Sequence, residues 1–173
     1  MGRRRAVGRR TEPLRVRAGG RWHRPAARRD PEHLPVDTRE LTVRTGDGRG
    51  LVDLTGDCAG FAAEASGGGD GLLSIFVPHA TAGLVVVEIG AGSDGDLLAA
   101  LDRLLPREER LYRHRHGSPG HGADHVLPLL APPALTVPVV AGRLTLGRWQ
   151  SICLLDPNAD NDARTIRLSW LPA

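Results

Sequence analysis

The sequence has few aromatic residues, few cysteines and no long apolar run, and each shortage excludes a class of protein. Three Trp, one Tyr and two Phe in 173 residues are too few for a row of stacking platforms for single-stranded nucleic acid. Cys58 and Cys153 cannot form a disulfide framework, and their spacing is not a zinc motif. No apolar run approaches the roughly 20 residues that span a bilayer. We therefore expect a cytoplasmic protein with no membrane partner and no specific nucleic-acid partner.

The positive charge is concentrated at the N-terminus. Residues 1–29 contain eleven Arg and one acid, whereas the remaining residues contain twelve Arg and nineteen acids, and the chain has no Lys. Residues 1–36 combine Arg, Pro and Gly with few large apolar side chains, which predicts a disordered extension before a single domain at 37–173. Such an extension is either a solvated tail or a nonspecific binder of phosphate-rich surfaces.

The apolar pattern of the remaining chain predicts an α+β fold. Strands are predicted at 40–45, 51–55, 72–77, 84–89, 135–140, 143–152 and 164–170, and helices at 57–66, from Ser93 to Pro106 and at 125–130. The first two strands should form a hairpin or near-hairpin, the run 84–89 should be a buried central strand, and 135–140 should pair with 143–152. The predicted fold therefore has about seven mostly antiparallel strands in a sandwich-like core, with two or three helices.

Five of the seven histidines lie between positions 79 and 125, which makes this region the best functional candidate. Histidine acts near neutral pH as an acid, a base or a metal ligand. Residues 107–122 are polar, rich in Gly and His, and without a period. An irregular stretch of this length inside a domain is more often functional than accidental. The clustering indicates a site without naming a reaction.

Several motifs together resemble the YjbQ family, also called the secondary thiamine-phosphate synthase family, over about Thr38 to Trp170. They are His79-Ala80-Thr81-Ala82-Gly83 followed by Glu88, Leu104-Leu105-Pro106, Tyr112-Arg113-His114, His125, Thr136-Val137-Pro138-Val139 and Gly142-Arg143-Leu144-Thr145-Leu146-Gly147-Arg148-Trp149-Gln150. The resemblance implies a YjbQ-like domain that forms a homotrimer with sites near subunit boundaries. Two positions depart from the family pattern: Val87 replaces an Asn, and Arg148 replaces a Thr.

The resemblance assigns the site to His79, His114 and His125, which should converge on one point. Three neutral imidazoles would suit Zn²⁺ and leave one position for water or substrate. Alternatively, the same rings bind phosphate as N–H donors with no metal. His116 and His121 do not match family histidines clearly, and we expect them to be solvated loop residues.

Glu88 and His79 are the candidate catalytic residues. An unpartnered carboxylate in an apolar strand is costly, so Glu88 should meet a histidine or Thr81 and act as a general base or orient an imidazole. The alternative is a structural ion pair with an Arg. Thr81, Arg148 and Gln150 are the candidate substrate and phosphate ligands. Trp149 should belong to the core or to trimer packing.

The function implied by the resemblance is weak thiamine-phosphate synthase activity. This reaction joins hydroxymethylpyrimidine diphosphate to thiazole phosphate and releases pyrophosphate. The charge of the departing diphosphate needs stabilisation, usually by Mg²⁺ and basic side chains, and Arg113, Arg115 and Arg148 could supply part of it. The alternative is a non-catalytic trimer that holds a metal or a phosphorylated metabolite. A nucleic-acid-associated protein that works through the Arg-rich extension is the third possibility.

Overall fold

The computed structural model describes residues 36–46, 48–114, 116–157 and 160–173. The predicted disordered extension, apart from Val36, therefore lies outside the described residues. No helix in the described part of the chain is long and apolar enough to cross a membrane.

Eight strands and three α-helices make up the described fold. In chain order they are β1 (Asp37–Arg44), β2 (Gly50–Asp53), α1 (Thr55–Ser66), β3 (Gly71–Phe76), β4 (Gly83–Val87), α2 (Ser93–Leu104), α3 (His121–Asp124), β5 (Ala134–Val140), β6 (Arg143–Leu144), β7 (Ser151–Asp156) and β8 (Ala163–Pro172). Short 3-10 helices at Glu109–Leu111 and Leu127–Leu129 flank α3. The α+β class with mostly antiparallel strands is confirmed.

The strands form two antiparallel sheets. The larger sheet has five strands in the order β1-β8-β3-β5-β6, and the smaller has three in the order β2-β7-β4. Leu73 and Ile166 from the larger sheet and Leu154 from the smaller one are fully buried in a single apolar core, and Phe61 of α1 packs into the same core. The sandwich-like core follows from this packing of alternate strand residues.

A second, smaller apolar cluster supports the segment that carries the histidines. Leu101 of α2 packs there with Leu127, Ala131 and Leu155. Leu127 is fully buried and lies two residues after His125. The end of the histidine-rich segment is therefore anchored to α2 and β7.

Both cysteines are buried inside the fold. Cys58 lies on α1 and Cys153 on β7. Burial, together with the nearby Asp57 and Asp53, raises the pKa of Cys58 to about 12. Burial also raises the pKa of Cys153 to about 11, with smaller contributions from Asp53 and Asp94. These thiols act as small apolar core residues.

Three predictions about strand arrangement were wrong. β1 and β2 do not form a hairpin, because β1 pairs with β8 and β2 with β7. β4 is an edge strand, and the buried central strand of its sheet is β7. The run predicted as one strand at 143–152 divides into β6 and β7, because the backbone N–H groups of Gly147 and Gln150 close a turn between them.

Candidate metal centre

Four histidines that are separate in the sequence meet at the end of the irregular segment. One ligand nitrogen from each lies within 4.8 Å of the others. We call this group the histidine cluster, and it consists of His114, His116, His121 and His125. His121 is buried, and the other three rings are exposed. The ring centroids are 4.0 Å apart for His114 and His116, and 4.7 Å apart for His121 and His125.

The four rings form two pairs of residues that are close in the sequence. His114 and His116 are separated by one residue, and their ring centroids lie 4.0 Å apart. His121 and His125 are four residues apart, at the first residue of α3 and just after its last residue, and residues four apart are neighbours on a helical turn. Local backbone geometry therefore forms two pairs, and the loop brings the pairs together.

A chain of hydrogen bonds links two of the rings to Asp160. His121 Nδ1 lies 2.6 Å from a carboxylate oxygen of Asp160. Because a carboxylate can only accept, His121 Nδ1 donates the hydrogen of this bond, and in the neutral ring the lone pair is then on Nε2. His121 Nε2 lies 2.9 Å from His125 Nε2. The neutral form of His121 therefore presents a lone pair to the cluster, where a metal ion would bind.

The rings of the cluster disfavour protonation of one another. Partial loss of hydration beside the neighbouring rings, followed by the charges of His116 and His121, lowers the pKa of the exposed His114 below its ordinary value of 6.5. Burial and the three other rings also lower the pKa of His125, and Asp124 opposes them. Neutral imidazole is the form that binds metal ions, and the cluster keeps these two rings in that form near pH 7.

A buried carboxylate holds α3 against the chain that precedes it. Asp124 is 1% exposed, and the guanidinium of Arg107 donates to both of its carboxylate oxygens. The same guanidinium donates to the carbonyl of Pro119 at 3.3 Å. A bidentate pair of this kind fixes orientation as well as distance. Arg107 therefore sets the position of the turn from which His121 projects.

A polar cleft of about 160 Å³ opens beside the cluster. His114, His116 and His121 line it, together with Glu109, Tyr112, Gly117, Ser118, Gly120 and Gly122. The hydroxyl of Tyr112 donates to the carbonyl of Pro106 at 2.8 Å. The cleft gives the exposed side of the cluster access to a small polar molecule.

The donor set fits a zinc-like ion better than magnesium. A Zn–N bond of about 2.1 Å places tetrahedral nitrogens about 3.4 Å apart. The cluster nitrogens that are widest apart, at up to 4.8 Å, would have to close by about 1.4 Å. The His121 and His125 nitrogens, at 2.9 Å, would have to open by about 0.5 Å, and rotation of the exposed rings can supply both changes. Imidazole suits Zn²⁺, Cu²⁺ and Ni²⁺, whereas Mg²⁺ selects oxygen ligands. Of the two predicted metals, these rings fit zinc.

His79 has a different environment from the cluster. Its Nε2 accepts a hydrogen bond from the backbone N–H of Thr165 at 3.0 Å. Burial, and then the charge of Arg164, lowers the pKa of His79, while Asp156 opposes the shift. Arg164 and Asp156 form a bidentate ion pair in which both side chains are 1% exposed. The structure thus brings His114 and His125 together, and places His79 at the junction of β7 and β8.

The other predicted site residues also lie outside the histidine cluster. β4 ends at Val87, and Glu88 is exposed, so the argument that a buried strand forces it to find a partner was wrong. Thr81 is 7% exposed. The guanidinium of Arg148 stacks 5.2 Å from the ring of Trp149, and the Gln150 side chain accepts from the N–H of Gly147.

Three sequence expectations need correction. Trp149 is 66% exposed, so it is not a core residue of the protomer, and its place in trimer packing stays a prediction. His121 is 8% exposed and bound to Asp160 rather than solvated. His116 is exposed as expected, but it belongs to the cluster. The signal that could have found both is spacing: His-x-His and His-x-x-x-His each place two rings on one side.

Known proteins with related sequences fall into one family. Residues 39–173 match the family described as UPF0047 protein YjbQ-like. The UPF0047 protein Rv2556c of Mycobacterium tuberculosis is 53% identical over 136 residues, which cover 79% of this chain and 98% of that protein. A UPF0047 protein of Methanothermobacter thermautotrophicus is 31% identical over 137 residues, which cover 79% of this chain and 92% of that protein.

Solved structures support the fold. A YbjQ-like protein of unknown function from Sulfolobus solfataricus superposes with a TM-score of 0.70 at 24% identity, covering 80% of this chain and 99% of that one. The conserved hypothetical protein TT1486 from Thermus thermophilus superposes with a TM-score of 0.61 at 32% identity, covering 77% of this chain and 99% of that one.

Proposed function

The chain belongs to the UPF0047 family of YjbQ-like proteins, and we propose that it binds a zinc-like divalent metal ion at the histidine cluster and holds a phosphorylated metabolite in the adjoining cleft. The observation that carries the proposal is the approach of four imidazole nitrogens to within 4.8 Å of one another. Without a bound ion, the fold holds four imidazole rings close together, and two of them, His114 and His125, have lowered pKa values. A metal ion would turn that crowding into four favourable bonds.

Different residues would bind the ion and the phosphorylated ligand. The cluster would hold the ion, and Asp160 and Arg107 hold the chain that carries the rings. When bound, the ion would supply a Lewis acid that polarises a phosphoryl oxygen, which it would accept as a fifth ligand beside the four rings. Ser118 and Tyr112 line the cleft and limit it to a group the size of a phosphate or diphosphate. This site needs no contribution from Glu88 to bind its ligand.

Metal binding is tested by zinc titration of the chelator-treated full chain. We expect the wild-type protein to bind one zinc ion per protomer and His125→Ala to weaken binding by at least about tenfold, because an imidazole ligand is lost. His79→Gln is the matched control, since it changes a histidine outside the cluster, and it should bind zinc like the wild type. Loss of zinc binding in His79→Gln but not in His125→Ala would contradict the assignment.

Ligand binding is tested with inorganic pyrophosphate as the probe. We expect calorimetry to detect binding to the zinc-loaded protein and much weaker binding to the zinc-free protein, because polarisation of the phosphoryl oxygen needs the ion. Equal binding in the two forms would favour the metal-free alternative, in which the rings act as N–H donors. Zinc-loaded protein that binds no pyrophosphate would contradict the phosphorylated ligand.

Thiamine-phosphate synthase activity is the reaction that we propose from the resemblance. The imidazole donor set does not favour Mg²⁺, so any magnesium would enter with the diphosphate substrate. Arg113 is exposed and precedes His114 in the sequence, and we propose that it meets that diphosphate. Incubation with both substrates and measurement of released pyrophosphate tests this reaction. Pyrophosphate release unchanged by Arg113→Ala and His125→Ala would remove the reaction from this site.

We also propose that the protein forms a homotrimer. Support comes from an apolar groove of about 300 Å³ between α2 and the edge strand β4. Leu104 and Leu130, which line this groove, are 66% and 48% exposed. Exposed apolar surface of this kind commonly marks a protein–protein contact.

A further inference from the structure

We propose that Asp160 is a positioning residue of the metal centre, which orients His121 through its Nδ1 and stabilises the bound ion by its negative charge. The inference rests on the proposed metal-binding function. It assigns a role to the connection between β7 and β8, which is separate from the segment that carries the four rings. The Asp160 side chain is 27% exposed and contacts the ring of His121 directly.

The first argument is the geometry of the hydrogen bond. The Asp160 carboxylate lies 2.6 Å from His121 Nδ1, a distance typical of a charge-assisted bond. In the neutral ring, this bond places the hydrogen on Nδ1 and leaves the lone pair on Nε2, the nitrogen that lies 2.9 Å from His125 Nε2. A carboxylate that accepts from the second nitrogen of a metal-binding histidine makes that histidine a stronger ligand. His121 is thus prepared to bind an ion before the ion arrives.

The second argument is that the structure leaves room for the carboxylate and holds it in place. Both oxygens of Asp160 accept from the backbone N–H of Ser118, at 3.1 and 3.3 Å. A Cβ at Gly117 would lie 2.6 Å from Asp160 Oδ2 and 2.8 Å from His121 Nδ1. Gly117 also has a φ of +79°, which a side chain would strain. A glycine at this position lets the carboxylate and the imidazole meet.

The third argument is the support at the base of the connection. Asp156 at the end of β7 and Arg164 at the start of β8 form the buried bidentate ion pair. These contacts fix both ends of the segment that carries Asp160. The carboxylate is therefore presented from a rigid base, as positioning of a metal ligand requires.

The test compares Asp160→Asn with Asp162→Asn in the full chain. Asp162 lies in the same connection, but its carboxylate is 75% exposed and pairs with Arg44 at 3.5 Å. We expect Asp160→Asn to raise the zinc dissociation constant about 10- to 100-fold, and Asp162→Asn to leave it within about twofold. The amide oxygen introduced by Asp160→Asn can still accept from the Ser118 N–H, so the substitution removes the charge and keeps the loop contact.

Two further measurements separate positioning from a merely structural role. The visible spectrum of the Co²⁺-loaded protein reports ligand geometry, and it should change in Asp160→Asn and not in Asp162→Asn. Asp160→Glu restores the carboxylate and should recover part of the zinc affinity. Melting of the zinc-free variants verifies that both are folded.

The outcomes distinguish this inference from the function on which it rests. Wild-type affinity and an unchanged Co²⁺ spectrum in Asp160→Asn would overturn the role of Asp160 alone. An equal loss in Asp162→Asn would also overturn it, because the effect would then be a general one of the connection. A wild-type protein that binds neither zinc nor cobalt would overturn the proposed function and this inference together.

Discussion

Replacement of Gly122 by alanine should abolish metal binding while leaving the core intact. A Cβ at this position would lie 2.5 Å from Tyr112 Cβ and 3.1 Å from the carbonyl oxygen of His114. Ordinary contact begins near 3.4 Å, so α3 would have to move about 0.9 Å away from the segment that carries His114. Tyr112 cannot yield easily, because its hydroxyl is bound to Pro106.

The size of this displacement is large for a metal site. The rings that are widest apart already have to approach by about 1.4 Å to bind an ion, and metal–ligand distances hold within about 0.2 Å. A further shift of about 0.9 Å should therefore take His114 out of reach of the rings of α3. Zinc at one hundred times its dissociation constant should stabilise the wild-type protein by about 2.7 kcal/mol. For a fold of this size, that corresponds to a rise in melting temperature of roughly 10 °C. In Gly122→Ala, we expect a rise of under about 2 °C.

The assay is thermal unfolding with and without zinc, and Gly95→Ala is the matched control. Gly95 lies on α2, and a Cβ there would meet nothing within 4 Å. Alanine is the better helix former by about 1 kcal/mol, so this variant should melt at or above the wild-type temperature and keep the full zinc response. A zinc response of wild-type size in Gly122→Ala would refute the contact argument.

Three other predictions concern the surrounding fold. Asp156→Asn should lower the free energy of unfolding by about 3–5 kcal/mol in urea titrations, because it disrupts a buried ion pair with Arg164, and a loss under about 1 kcal/mol would contradict this. The pKa of His79 is lowered in the fold. As the pH falls below about 6.5, the unfolded chain therefore binds a proton at this residue before the folded chain does, and the free energy of unfolding decreases. His79→Gln should lose less stability than the wild type between pH 7 and pH 5 in urea titrations, and equal losses would contradict this. Light scattering should give the mass of a trimer, and Leu104→Glu should lower that mass if the groove is the contact.

The sequence best predicted the helices and strands whose apolar pattern lies within one short segment of the chain. The leucines of α2 recur at helical spacing, and the helix ends at Leu104, close to the predicted stop at Pro106. β3, β5 and β8 also lie within one or two residues of their predicted bounds. The pairing of β1 was mispredicted, because its partner lies about 130 residues away, where Thr38 meets Ser169. Alternation identifies a strand but not its neighbour.

The candidate site shows the same division between local and distant information. Resemblance singled out His114 and His125, and the structure brings these two together. His121 was expected in solvent because its partner Asp160 follows it by almost forty residues, beyond β5, β6 and β7. Its spacing from His125 was visible in the sequence and would have predicted a shared helical face. The contact with Asp160, which lies in a loop distant in the sequence, was not visible in the sequence.

The burial of Cys58 and Cys153 makes the protein suitable for site-specific labelling. With pKa values of about 12 and about 11, these thiols hold less than about one part in a thousand as thiolate at neutral pH. Alkylating reagents would therefore leave them almost untouched in the native state. A cysteine introduced at Ser118, beside the cleft, would be the only thiol to react quickly. A fluorophore attached there could follow ligand entry in solution without any change to the native cysteines.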